Sequence, residues 1–468
     1  MKIKLRIGGL HYEALYHHLL SGDGKESIAF ALCGRYFDEE QEIFLVHKLE
    51  LFPNEQCIAR YPDKVIWSPV EIVDLFEECK NEGLYLLKIH CHPGGGAEFS
   101  EYDNESDWQL SETVTGWLDN DIPIISAIML PEGDIIARLV LPSCEFLTVD
   151  SVMVAGDEIK FFSPSNYITS IDLDDIQLRT RQLFGEGTVN ILRKLRIGVI
   201  GCSGTGSIVV ELLSRLGVGC LVLIDPDRVE FKNLNRIPNT TYEDAEKGRY
   251  KVDVLKSAIE KQGTGITVKA VPLGLHSYEA YQEAAGCDIV FGCMDSVDGR
   301  HLLNRIATFF ILPYFDIGIR LDADGKGGID EVLGRVDYIQ PGRSSLFSRE
   351  RYSLERLRAA DLARTDPKEY DRQVKESYIR AAKVDSPAVI SVNTYFSAQA
   401  VNELLARLHP FRTEPNKQFA EITFSIAGFF LENQSEGEPD LALAKHIGRG
   451  TVSPLLLSPM LIVKPHSS

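Results

Sequence analysis

The sequence predicts an α/β protein in two parts. An α+β unit over residues 1–155 is followed by a linker at 156–175. A doubly wound parallel sheet over 176–468 then carries a charged helical insertion at 343–384. Three observations predict this. The chain has 468 residues, more than one ordinary hydrophobic core organises. From Leu195 strand-like and helix-like stretches succeed one another singly, as a parallel sheet with crossover helices requires. Before residue 155 short strand-like runs are interspersed with only two helical patterns.

In the first part the runs Ser27–Leu32, Glu42–Val46, Leu84–Ile89, Ile122–Met129 and Ile135–Val140 read as strands. His11–Leu20 and Pro69–Glu82 have helical periodicity. Ser163-Pro164-Ser165-Asn166 and the acidic run Asp172–Asp175 mark the linker. In the second part Leu195–Ile200, Leu221–Asp225, Val268–Val271 and Asp288–Met294 read as strands. Ser207–Leu216, Lys251–Gln262 and Val389–Leu408 read as helices. Residues 343–384 are rich in Arg, Glu and Ala and read as exposed helix, either a surface helix pair or a lid over the second site.

Apolar content of 44% and charged content of 25% belong to a globular protein. A net charge of −19 argues against a nucleic-acid partner. The longest apolar stretches, such as Phe309–Phe315 and Ile426–Leu431, have the length of strands and not of membrane spans. The nine cysteines include no Cys-x-x-Cys pair, so free thiols in a reducing cytoplasm are expected.

Two constellations carry chemistry. In the first, His90 and His92 alternate along a strand and therefore share a face. After Gly94-Gly95-Gly96 come Ser100 and Asp103. Two imidazoles and a carboxylate can hold zinc and leave one position for water. Zinc then acidifies that water and polarises a carbonyl. The spacing resembles the JAMM (JAB1/MPN/Mov34) metalloproteases over about the first 150 residues. That resemblance implies a glutamate general base, and Glu26, followed by an apolar run to Gly34, is the matching position. It further implies Ser100 as a donor to the oxyanion and cleavage of peptide or isopeptide bonds after ubiquitin-like modifiers. Cys91 stands where that family has Ser or Thr.

In the second, Gly201-Cys202-Ser203-Gly204-Thr205-Gly206 joins a strand to a helix. Such a turn offers backbone N–H groups and a helix dipole to phosphate. Its Gly-x-x-Gly-x-Gly spacing departs from the dinucleotide fingerprint and disfavours an NAD enzyme. Asp225 and Asp227 close the next strand, where acids bind ribose hydroxyls. Asn233, Arg236 and Lys251 suit a triphosphate, and Asp295 at a strand end suits magnesium.

From about Arg179 to Leu408 this region resembles the ubiquitin-activating enzymes and their bacterial relatives of thiamine and molybdopterin biosynthesis. The resemblance implies a Rossmann-like domain that uses ATP and Mg2+ to adenylate a modifier's C-terminus. It implies Arg181 acting across a homodimer, Asp225 on ribose, Asn233, Arg236 and Lys251 on phosphates, and Asp295 on magnesium. Val389-Ile390-Ser391-Val392-Asn393 and the Glu403-Leu404-Leu405 helix match the family's C-terminal part. Ser203 replaces a usual Gly, and no cysteine follows Cys293. Cys287 and Cys293 read as core residues. The acyl group is therefore expected to pass to an external thiol, sulfur donor or amine. Together the halves imply a bifunctional enzyme of a bacterial ubiquitin-like pathway, partnered by a modifier and a conjugating enzyme. The alternative is activation and maturation of a sulfur-carrier protein, with a sulfurtransferase as partner.

Overall fold

The computed structural model describes residues 1–163, 175–324, 326–376, 388–452 and 456. The chain forms two compact units. The first opens with β1 (Lys2–Gly8), α1 (Gly9–Leu19), β2 (Ile28–Phe37) and β3 (Gln41–Leu51). A short hairpin of β4 (Ala59–Tyr61) and β5 (Lys64–Ile66) precedes α2 (Val73–Glu82), β6 (Tyr85–Cys91) and α3 (Glu101–Leu118). The remaining elements are β7 (Ile124–Met129), β8 (Ile135–Val140), β9 (Phe146–Thr148), β10 (Ser151–Ala155) and β11 (Ile159–Phe162).

Nine of these strands form one sheet in the order β11-β10-β1-β3-β2-β6-β7-β8-β9. Both faces are covered. Ala29, Ala31, Leu87 and Ile89 pack with Leu15 and Leu19 of α1. Ile28, Phe30 and Leu86 pack with Phe76 of α2 and Leu110 and Val114 of α3. Alternate residues of β2 and β6 thus enter opposite cores, as the strand period demands. Each fully buried Phe or Leu contributes roughly 2 kcal/mol of apolar transfer. Ile159–Phe162 pair antiparallel with β10, so the first part of the expected linker is sheet. Residues 164–174, including Asp172–Asp174 of the acidic run and the Pro164–Asn166 turn, lie outside the described residues.

The first unit also takes in residues 308–311 and 442–452, which the division at 176 had given to the second part. Gly34 N donates to Gly448 O at 3.1 Å, and Thr451 N donates to Arg35 O at 3.1 Å. A Cβ on Gly34 would lie 2.2 Å from Gly448 O, so only glycine lets the returning segment approach.

The second unit runs α4 (Leu178–Lys194), β12 (Arg196–Ile200), α5 (Gly206–Arg215), β13 (Cys220–Ile224), α6 (Tyr242–Glu246), α7 (Lys251–Gln262) and β14 (Thr267–Val271). Then follow α8 (Tyr278–Ala285), β15 (Ile289–Gly292), α9 (Val297–Phe309), β16 (Tyr314–Ala323) and β17 (Ile329–Ile339). It closes with α10 (Leu354–Thr365), α11 (Pro367–Lys375), α12 (Ile390–Leu408), β18 (Glu421–Ser425) and β19 (Phe430–Gln434). The sheet order is β14-β13-β12-β15-β16-β17-β18-β19. The first five strands are parallel, and β17, β18 and β19 add antiparallel. Strand order reverses between β12 and β15, which opens a crevice at their C-terminal ends.

Two sequence expectations change. The apolar run Phe309–Phe315 is the end of α9, a turn and the start of β16, because Ile311 adopts a φ of 52° and stops the helix. The charged insertion is helical only over α10 and α11, neither of which buries a residue. Residues 377–387 lie outside the described residues.

Candidate functional sites

The first site is built on the α3 face of the nine-stranded sheet. Lys88, His90 and His92 alternate on and just beyond β6, and Ile28 of β2 pairs with His90. Glu26, two residues before Ile28, falls on the same face. Opposite stands α3, which starts at Ser100 with a reciprocal capping box: Ser100 Oγ accepts from Asp103 N, and Asp103 Oδ2 accepts from Ser100 N. This cap sets the direction of Asp103.

His90 Nε2 lies 3.1 Å from His92 Nε2 and 3.1 Å from Asp103 Oδ1. His92 Nε2 lies 3.5 Å from Asp103 Oδ2 and 3.8 Å from Glu26 Oε1. Two donors on one tetrahedral zinc, each at about 2.0–2.1 Å, stand roughly 3.3 Å apart. The His90, His92 and Asp103 spacings fit that ion, with Glu26 one step further out. Donor atoms of Glu26, His90 and His92 also lie within 4.8 Å of one another, but Asp103 is nearer to each imidazole. His92 Nδ1 bonds Gly96 O at 2.7 Å, which fixes its tautomer for ligation through Nε2.

Glu26, Ile28, Trp67, His90, Tyr102 and Asp103 line a small pocket. Burial pushes the Glu26 carboxyl up to about 7, against the pull of His92. Burial also works against ionised Asp103, but hydrogen bonds from His90 and His92 win and hold it well below the usual carboxylate range. Burial lowers His90. In His92 burial is outweighed by Asp103, the Gly96 carbonyl and Glu26, so its pKa is raised.

Ser100 Oγ–H is directed at Asp103 Oδ2, 2.7 Å away, so in this state it orients the aspartate. Cys91 faces the other core, where its Sγ donates to Leu19 O at 2.9 Å. Sequence reasoning missed Lys88, Asp107 and Arg138. Lys88 and Arg138 both pair with the fully buried Asp107, Arg138 Nη2 at 2.6 Å. The available signals were Lys88 two residues before His90 and Asp107 one turn after Asp103.

The second site occupies the crevice between β12 and β15. Gly201 has a φ of 91°, and a Cβ there would lie 2.8 Å from the Cys293 carbonyl. The turn therefore presses against the strand end that leads to Asp295. A Cβ on Gly204 would lie 2.4 Å from Asn393 Nδ2 and 3.2 Å from Arg236 Cδ. Ser203, Gly204 and Gly206 complete the turn at the start of α5, where Ser207 N and Ile208 N donate to Ser203 O and Thr205 O at 2.9 and 3.1 Å. Ser397 of α12 donates to Thr205 O at 3.0 Å and supports the turn from behind.

Asp225, after β13, is buried and accepts from Cys202 N at 2.7 Å and Asp227 N at 2.8 Å. Burial raises its pKa against the pull of Lys251. Lys251 Nζ lies 2.7 Å from Asp227 and 3.9 Å from Asp225. Asn233 Oδ1 accepts from Glu230 N at 2.9 Å in a local cap, so its side chain shapes the segment that carries Arg236. Arg236 Nη1 donates to Lys232 O at 2.6 Å. Asp295 is exposed just after β15. Arg300, missed in the sequence, donates to Met294 O and Ile317 O at 2.9 and 3.0 Å and so fixes the Asp295 segment. Arg181 lies in the first turn of α4, half-buried. All nine cysteines are free. Cys287 is buried, whereas Cys293 is half-buried where the turn meets β15, and burial raises its thiol pKa.

The ThiF family profile matches residues 176–432. The profile described as prokaryotic homologs of the JAB domain matches residues 10–132. Ubiquitin-like modifier-activating enzyme 5 of Bombyx mori is 26% identical over 176 residues, 35% of this chain and 42% of that protein. Adenylyltransferase and sulfurtransferase MOCS3 of Caenorhabditis briggsae is 28% identical over 165 residues, 34% of this chain and 40% of that protein. The chain thus spans about two fifths of each relative's length. Among solved structures, E. coli MccB with ATP aligns at a TM-score of 0.44 and 18% identity, over 58% of this chain and 74% of that one. MccB, the microcin C7 biosynthetic enzyme, with N-formylated MccA gives 0.45 and 19%, over 60% and 77%.

Proposed function

The chain belongs to the ThiF family and carries a JAB-like domain ahead of that region, and from this premise we propose a bifunctional enzyme acting twice on one carboxyl terminus. The second unit adenylates the C-terminus of a ubiquitin-like modifier with ATP and Mg2+. The first is a zinc-dependent peptidase that trims the modifier's precursor or removes the modifier from its targets. The observation that carries the reading is the coexistence on one chain of the convergent Glu26, His90, His92 and Asp103 cluster with a ThiF-family unit whose glycine turn abuts the strand end that leads to Asp295. Tethering both sites raises the effective concentration of a shared tail.

In the hydrolytic half His90, His92 and Asp103 hold the ion. Zinc, when bound, supplies Lewis-acid polarisation and an acidified water. Glu26, buried beside the three donors, would take the water's proton and return it to the leaving amine. Ser100 orients Asp103 and, on rotating its hydroxyl, serves the oxyanion.

In the adenylating half the modifier's carboxylate attacks the α-phosphorus of ATP, and pyrophosphate leaves. Gly201, Ser203, Gly204 and Gly206 let the backbone approach the phosphates. Asp225 and Asp227 receive ribose, and Asp295 takes magnesium. Arg236 and Lys251 neutralise the developing charge, with Asn233 shaping the segment of Arg236 and Arg181 reaching across a homodimer. Positioning and charge are the whole of this catalysis. No cysteine follows Cys293 in these residues, and burial keeps the Cys293 thiol protonated. The acyl group therefore goes to another protein's thiol or amine. That same absence, with a MOCS3 relative, supports a second reading in which a sulfur carrier is activated for thiocarboxylate formation.

The test is ATP–pyrophosphate exchange with a ubiquitin-like protein ending in glycine, beside cleavage of the same protein bearing a C-terminal extension. Exchange lost in Asp295→Ala and cleavage lost in Glu26→Gln are expected. Exchange indifferent to the modifier's terminal glycine would remove the adenylating assignment.

A further inference from the structure

Arg138 of β8 is buried, yet no step of the proposed hydrolysis uses it. Its guanidinium carbon lies 3.7 Å from the ring centroids of both Phe99 and Phe146, so its plane is engaged with two aromatic faces. Its edge is engaged as well. Nε and Nη2 donate to Asp107 Oδ2 at 3.1 and 2.6 Å, and Nη1 donates to Asn104 Oδ1 at 2.7 Å. Lys88 holds the other oxygen of Asp107. Phe146 stacks in addition on Trp108, 5.7 Å away and 14° from parallel.

These partners bracket the site. Phe99 immediately precedes Ser100, Asn104 immediately follows Asp103, and Asp107 stands one turn further along α3. The approach to Ser100 is an exposed stretch with three successive glycines, bonded to His92 at Gly95 N and Gly96 O, and these bonds hold its start and not the turn of α3 that follows. One side chain therefore ties both ends of the Ser100–Asp103 segment to the sheet that bears His90 and His92.

Resting on the hydrolase reading, the geometry points to Arg138 as a positioning residue for the zinc site: it sets the N-terminal turn of α3 so that Asp103 meets the two imidazoles. Lysine would keep the charge and an ion pair with Asp107. It has neither the plane that stacks on Phe99 nor the fork that spans Asn104 and Asp107.

The test uses the full chain and zinc alone, by competition with a chromophoric chelator. Outer partners of metal ligands are typically worth about 10–100-fold in affinity. Arg138→Lys is expected to weaken zinc binding by that factor while melting close to wild type. Phe99→Leu, which removes no charge and no hydrogen bond of Arg138, is expected to weaken it in the same direction and decides the matter if the lysine variant fails to fold. Zinc affinity within twofold of wild type in a folded Arg138→Lys, or in Phe99→Leu should the lysine variant not fold, overturns the inference. Wild type that binds zinc but cleaves no extended modifier overturns the hydrolase reading alone, and the zinc comparison still decides Arg138. Wild type that takes up no zinc overturns both.

Discussion

Gly204→Ala isolates the packing of the nucleotide turn from its backbone conformation. The new methyl would lie 2.4 Å from Asn393 Nδ2 and 3.2 Å from Arg236 Cδ. Gly204 does not need a positive φ, so the whole effect is steric. Asn393 is buried on α12 and has a short side chain, so it yields only by turning its amide or shifting the helix. Overpacking of this kind costs about 1–3 kcal/mol. At 1.4 kcal/mol per decade, that is a rise of roughly 5–150-fold in KM for ATP. The assay is ATP–pyrophosphate exchange as a function of ATP, with thermal melting as the control for folding. Gly206→Ala provides the contrast. Its methyl would meet Gly201 O at 1.8 Å, and backbone cannot turn aside, so a loss of folding is expected. An unchanged KM in Gly204→Ala would refute the argument that Asn393 and Arg236 close around this turn.

Three further outcomes are expected. A zinc chelator should abolish cleavage of an extended modifier and leave ATP–pyrophosphate exchange within twofold, and parallel loss of both activities would contradict two separate centres. Burial holds His11 and His301 down to about 4; the unfolded chain binds their protons from about pH 6.5 downward, so this stability is present above 6.5 and is lost between 6.5 and 4. The melting temperature should fall across that window and fall less in His301→Gln; equal slopes would refute it. Glu403→Ala removes the carboxylate shared by Arg407, 2.8 Å away and nearly inaccessible, and by Arg412. A loss of about 3–5 kcal/mol is expected, read as a lower urea midpoint; a midpoint equal to wild type would show that the Phe419 and Asn416 carbonyls suffice for Arg407.

The donors of the first site were legible because their geometry is local. His90 and His92 face one way by the strand period, and Asp103 is placed by its own capping box. Lys88, Asp107 and Arg138 were not, since their pairing exists only once β6, α3 and β8 meet. The helix α3 itself escaped notice because its apolar face is reduced to Leu110, Val114 and Leu118, with Asp103 and Asp107 filling the turns before them. In the second unit the strand–helix alternation marked the parallel strands to within a residue or two at most ends. Strands β16 to β19 left little trace. β16 begins buried and ends exposed and β17 does the reverse, while β19 is exposed throughout, and each case hides a period of two. Asn393 and Arg300 act on the turn and on Asp295 through contacts between elements far apart in sequence.

The segment that returns to Gly34 and Arg35 has a consequence for biosynthesis. His47 and Ile447, whose contact helps seat it, are 400 residues apart, and Arg35 and Thr451 are 416 apart. At ribosomal speeds of about 5–20 residues per second, β2 and β3 wait roughly 20–80 s for the residues that complete their unit. Until then the backbone at Gly34 and the ring of His47 stand open to solvent. The JAB-like unit is thus completed only after the ThiF-matching residues have been made, so in a nascent chain the site proposed to cut the tail cannot mature before the one proposed to adenylate it.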